Sequence, residues 1–112
     1  MKRLIAVLAA VAVTAGAVMA IPAFGATRSV SVRDNVFSPR TINIRSGDTL
    51  RFVWRGENPH NITTTSRPRG ATRVTAPIKR TGTYRKRLTR RGTYRLLCTI
   101  HAPGMKMTVR VR

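Results

Sequence analysis

From about residue 26 onward the chain shows no helical periodicity. Apolar residues recur at every second position in short runs, and each run stops at Gly, Pro, Asn or Asp. That pattern is what half-buried strands require. Val30 and Val32 alternate with Ser29, Ser31 and Arg33, and the turn Asp34-Asn35 and the segment Phe37-Ser38-Pro39 follow. Ile42 and Ile44 alternate with polar residues up to Ser46-Gly47-Asp48, which has good turn chemistry. Leu50, Phe52 and Trp54 share one parity; Gly56-Glu57-Asn58-Pro59 ends that run just before a short β-branched stretch from His60 to Thr65. Ser66 to Pro77 is polar and irregular. Thr81-Gly82-Thr83-Tyr84 is echoed ten residues later by Arg91-Gly92-Thr93-Tyr94, which predicts two strands joined by Thr89-Arg90-Arg91-Gly92 in a single hairpin. The last run places Met105, Met107, Val109 and Val111 on one face. About seven short strands in fewer than 90 residues predict an all-β sandwich in a single domain.

The N-terminus reads differently. Met1-Lys2-Arg3 is a short positive segment, Leu4 to Ala23 is almost wholly apolar, and small residues gather at Ala23-Phe24-Gly25. Residues 1–25 are therefore expected to be a signal peptide cut after Gly25, with a cut after Ala20 as the alternative. The rival reading is an uncleaved membrane anchor, since 20 apolar residues can cross a bilayer; Gly16 and Pro22 favour cleavage. Residues 26–112 then form the exported domain, secreted, periplasmic or held at the cell surface. An oxidising compartment usually favours paired cysteines in a domain this small. This chain has only Cys98, so no internal disulfide can form, and metal ligation would both occupy the thiol and stabilise the fold.

Charge narrows the partners. The whole chain carries +19, and losing Lys2 and Arg3 leaves 20 basic against 3 acidic residues, or +17. Such a field attracts an acidic protein or an anionic cell-surface component and keeps copies of the chain apart, which suits a monomer. Export, few aromatics and arginines scattered over many strands argue against nucleic acid. A metal-free basic adhesion module is a reading that charge alone would allow.

The remaining signal lies in the soft side chains. After the leader the chain has one cysteine, two histidines and two methionines, grouped as Asn58-Pro59-His60-Asn61 and Cys98-Thr99-Ile100-His101-Ala102-Pro103-Gly104-Met105-Lys106-Met107. Taken singly, Cys98 is an ordinary buried apolar residue, His60 a loop histidine, and Cys-x2-His a motif shared with zinc and haem proteins. Together, a thiolate, two imidazoles and a thioether without a carboxylate are the ligands of a copper electron-transfer site. Cys98 shares a strand face with Tyr94 and Leu96, His101 lies in the turn that Pro103 and Gly104 tighten, and Met105 opens the final strand. Met107 has the inward parity of Val109 and Val111 and is assigned to the core.

In these residues the chain resembles the cupredoxins, or type 1 blue copper proteins, and especially small secreted members akin to plastocyanin, pseudoazurin and amicyanin. The markers are Asp34-Asn35-x-Phe37-Ser38-Pro39, Ser46-Gly47-Asp48-Thr49, Pro59-His60-Asn61 and Gly92-Thr93-Tyr94-x3-Cys98-x2-His101-x3-Met105. The resemblance implies a Greek-key β-sandwich holding one copper ion through His60, Cys98, His101 and, more weakly, Met105. It also implies that the backbone N–H of Asn61 bonds the Cys98 sulfur. Three residues separate His101 from Met105, against four in plastocyanin and two in amicyanin, so the methionine distance is the departure from pattern. The function implied is single-electron transport between redox partners outside the cytoplasm, without enzymatic activity. Copper storage, delivery or detoxification is the alternative use of the same ligands.

Overall fold

The computed structural model describes residues 25–112 as two β-sheets enclosing one apolar core. The segment read as a signal peptide lies, but for Gly25, outside the described residues. Among the described residues nine strands form: β1 (Thr27–Arg33), β2 (Val36–Ser38), β3 (Thr41–Ile44), β4 (Thr49–Trp54), β5 (His60–Ser66), β6 (Ala76–Lys79), β7 (Thr83–Arg87), β8 (Gly92–Leu97) and β9 (Lys106–Val111). One sheet runs β2-β1-β4-β7 and the other β3-β9-β8-β5-β6. Pairing is mostly antiparallel, but β1 runs parallel to β4 and β3 runs parallel to β9. Among the described residues no helix is long and apolar enough to cross a membrane.

The alternation in sequence becomes the alternation in burial. Leu50, Phe52 and Trp54 of β4, Val30 and Val32 of β1, and Met107, Val109 and Val111 of β9 all point inward. Their intervening residues face solvent or the sheet surface, as period-2 geometry dictates. From β5 and β8, in the same sheet as β9, Ile62, Tyr94 and Leu96 complete the core. Burying these side chains is the main source of stability in a domain of this size.

Two features depart from the sequence reading. The irregular stretch after Ser66 contains an extra strand, β6, and is anchored inside the protein: Val74 is fully buried, and the Thr64 hydroxyl donates to its carbonyl at 2.8 Å and accepts its N–H at 2.7 Å. The expected hairpin at Thr89–Gly92 does not form. Strand β7 pairs with β4 in one sheet, whereas β8 pairs with β9 and β5 in the other, so residues 88–91 cross between the sheets. The crossing is driven by Leu88, which is fully buried and whose backbone bonds Asp48 and Gly47 in the β3–β4 turn. Tyr94 then secures the far side by donating its hydroxyl to the Arg90 carbonyl at 2.7 Å.

Candidate metal centre

Strand pairing brings the soft residues together. Strands β8 and β9 are antiparallel neighbours with Leu97 opposite Lys106, so residues 98–105 connect them. The Cys98 N–H donates to the Met105 carbonyl at 2.9 Å and closes the connection. Within it Thr99–His101 form one 3-10 turn, after which the Met105 N–H bonds the His101 carbonyl at 3.2 Å. On the other side of β8 lies β5, with Thr63 opposite Leu97, which sets His60 at the start of β5 beside the end of β8.

The outcome is a triangle of ligand atoms. His60 Nδ1 lies 3.2 Å from His101 Nδ1, and Cys98 Sγ lies 3.9 Å from the first and 3.6 Å from the second. A first-row metal with bonds of about 2.0 Å to nitrogen and about 2.3 Å to sulfur, at the centre of a planar triangle, needs edges of about 3.5 and about 3.7 Å. The three edges match that requirement within a few tenths of an ångström, so these residues fit a metal without rearrangement. His60 and Cys98 are fully buried and His101 is partly exposed.

His60 is held at both its backbone and its ring. Its carbonyl accepts the Trp54 indole N–H at 3.0 Å, and its Nε2 lies 3.2 Å from Asp34 Oδ1. Asp34 itself accepts the backbone N–H groups of Glu57 and Asn58 at 2.8–3.0 Å. Those two donors, first Glu57 and then Asn58, with a smaller contribution from His60, hold its carboxyl below the ordinary aspartate value. An anionic acceptor at Nε2 keeps the ring proton there and leaves the Nδ1 lone pair facing Cys98 and His101. Gly56 is required by this packing, because a Cβ at that position would collide with the Asp34 carboxylate.

Asn61 ties β5 to the ligand loop. Its amide donates to the Thr99 hydroxyl and accepts the Thr99 N–H, both at 2.9 Å. Met105 and Met107 are both buried, at 1% and 3% exposure. They differ in setting: Met107 sits within β9 opposite Leu96, while the Met105 backbone bonds both Cys98 and His101. Asp34, Trp54 and Thr99 were not visible as site residues in the sequence. In the sequence Asp34 is a turn residue and Trp54 shares the parity of Leu50 and Phe52, and the partner of each becomes apparent only when β4, β5 and the β1–β2 turn are brought together.

The comparisons with known proteins agree with this geometry. The family model described as copper binding proteins, plastocyanin/azurin family, matches residues 26–112. A plastocyanin from Prochlorothrix hollandica is 30% identical over 98% of this chain and 93% of its own length. Among solved structures, a reduced tryptophan-to-tyrosine variant of amicyanin superposes with a TM-score of 0.67 at 25% identity, covering 77% of this chain and 82% of that one. A pseudoazurin from Hyphomicrobium denitrificans gives a TM-score of 0.67 at 26% identity, covering 76% and 74%.

Proposed function

The chain belongs to the plastocyanin/azurin family of copper-binding proteins, the cupredoxins, and on that premise we propose that it is a mononuclear type 1 copper protein carrying single electrons outside the cytoplasm. His60, Cys98 and His101 would be the strong ligands and Met105 a weaker fourth. The observation that carries this reading is the Nδ1–Sγ–Nδ1 triangle, with edges of 3.2, 3.6 and 3.9 Å around a buried thiol. Bound copper supplies a one-electron Cu(I)/Cu(II) couple there.

The protein's part is to hold the ligands still. His60 is pinned by Trp54 and Asp34, and the loop bearing His101 is closed by Cys98, Met105 and Asn61. Side chains held in this way need little rearrangement when the charge at the centre changes. In the proposal the Asn61 N–H also bonds the thiolate, which shields it and adjusts its donor strength. His101 is the partly exposed ligand, flanked by Ile100 at 43% exposure and by exposed Ala102 and Pro103. Its ring edge is the electron's way in and out, and the apolar loop around it is the contact a partner makes. With its ligand set complete the centre holds charge rather than transforming a substrate, so the protein is not an enzyme.

The charge of +17 after loss of the leader selects an acidic redox protein or an anionic cell-surface component as partner and keeps the chain monomeric. Electron self-exchange measured by NMR on mixed Cu(I) and Cu(II) protein, alongside copper release to a chelator, tests the reading. Fast exchange with slow release supports a carrier. Slow exchange with ready release overturns it in favour of copper storage or delivery.

A further inference from the structure

Beside the metal loop, on the outer face of the five-stranded sheet, lies a groove of ≈ 460 Å³ lined by Arg40, Thr41, Thr65, Arg95, Lys106 and Thr108. Leu97 and Pro103 are apolar members of the same lining. We propose that this groove docks an acidic peptide segment of the redox partner, an inference that rests on the electron-carrier reading and names the surface it uses.

Three observations converge on that occupant. The first is charge without compensation. Of the chain's three acidic residues, Asp34 is bonded to the β4–β5 loop and His60, Glu57 lies in that same loop, and Asp48 is bonded to Ala26 and Arg45. None of them lines the groove, and among the described residues only His60 and Asp34 stand at ion-pair distance. Arg40, Arg95 and Lys106 therefore face a common concavity with no carboxylate of their own chain. Guanidinium forks take carboxylates in two parallel hydrogen bonds, and the threonine hydroxyls beside them supply further donors.

The second is shape. The outer face of the other sheet is also cationic, with Arg51 opposite Arg85 on β4 and β7. A long anionic polymer, held by charge alone, would have no reason to prefer one sheet. The groove has room for a few residues of a folded partner's loop, with an apolar wall at Leu97 and Pro103 to bury what lies between the carboxylates.

The third is position. Leu97 is the residue immediately before Cys98, and Pro103 and Gly104 belong to the loop that carries His101. A segment seated here touches the residue next to Cys98 in the chain and reaches the Ile100–Pro103 rim through Pro103. Charge complementarity thus brings a partner to the place where the electron is held.

The test uses hexaglutamate as the acidic segment and a heparin fragment as the polymer, each titrated at low ionic strength into the leaderless protein (residues 26–112) and followed by NMR shifts. Lys106→Glu reverses a groove charge, and Arg85→Glu makes the same charge change on the opposite sheet. The expected result is that hexaglutamate shifts concentrate at Arg40, Thr65, Arg95, Leu97 and Lys106. Lys106→Glu should then weaken binding about tenfold and Arg85→Glu about twofold or less. Equal weakening by the two variants, shifts spread over both sheets, or groove selectivity for heparin but not hexaglutamate would each overturn the proposal. Copper binding and self-exchange, measured on the same variants, separate the two ideas: loss of groove selectivity in a protein that exchanges electrons normally removes the groove alone. Selective docking on a protein that takes no copper removes the carrier reading and leaves the groove a site for acidic segments.

Discussion

Asp34 Oδ1 lies 3.2 Å from His60 Nε2, and that contact decides which nitrogen of the first histidine faces Cys98. The carboxylate is held by the Glu57 and Asn58 N–H groups, so one side chain fixes both the β4–β5 loop and the imidazole at that loop's end. A ligand whose outer nitrogen donates to a carboxylate is a stronger base and cannot rotate away.

Replacing Asp34 by Asn removes the negative charge while keeping an oxygen near the same donors. Cu(II) affinity should fall about 10- to 100-fold. The reduction potential should rise, because the lost charge stabilised the more highly charged ion. Chelator competition and voltammetry measure the two quantities; values equal to those of the parent protein would show that Asp34 only shapes the loop.

The two buried methionines should separate cleanly. Met105→Leu and Met107→Leu are close to volume-conserving, and each should lower stability by less than about 1.5 kcal/mol. Only Met105→Leu should move the reduction potential and the visible spectrum, because a thioether that ligates the copper would tune it and a core side chain would not. If Met107→Leu moved them instead, the assignment of the fourth ligand would pass to Met107.

Asp48 gives the fold a defined acid sensitivity. It accepts the Arg45 and Ala26 N–H groups, each at 2.9 Å, and these bonds, together with nearby Arg28 and Arg45, outweigh burial and hold its carboxyl below the ordinary value. Below its unfolded value of about 3.9 the unfolded chain binds the proton first. The stability Asp48 contributes is therefore present above that pH and is lost as pH falls through the lower folded value. Thermal unfolding of the copper-free protein between about pH 6 and about pH 2 should show a steeper acid loss than in Asp48→Asn. Parallel curves would contradict this.

Much of the candidate site could be read in the sequence because cysteine and histidine occur after residue 25 only at Cys98, His60 and His101, with Met105 close by in the same loop. The strands could be read because residues such as Leu50, Phe52 and Trp54 alternate without interruption. What could not be read depended on contacts between distant segments. Asp34 lies 26 residues from His60 and looks like half of an Asp-Asn turn, which it also is. The residues at 88–91 have hairpin chemistry, yet Leu88 fits between the sheets and carries the chain across. Strand β6 is short, half exposed and contains Pro77, so no alternating pattern announces it.

The visible absorption spectrum of the leaderless protein with one equivalent of Cu(II) tests the central claim most directly. A thiolate bound to Cu(II) in this triangle should give an intense blue colour that ascorbate bleaches and reoxidation restores, and Cys98→Ser should abolish it. A pale or colourless complex, or a blue colour that survives Cys98→Ser, would contradict the assignment of His60, Cys98 and His101 as a type 1 copper centre.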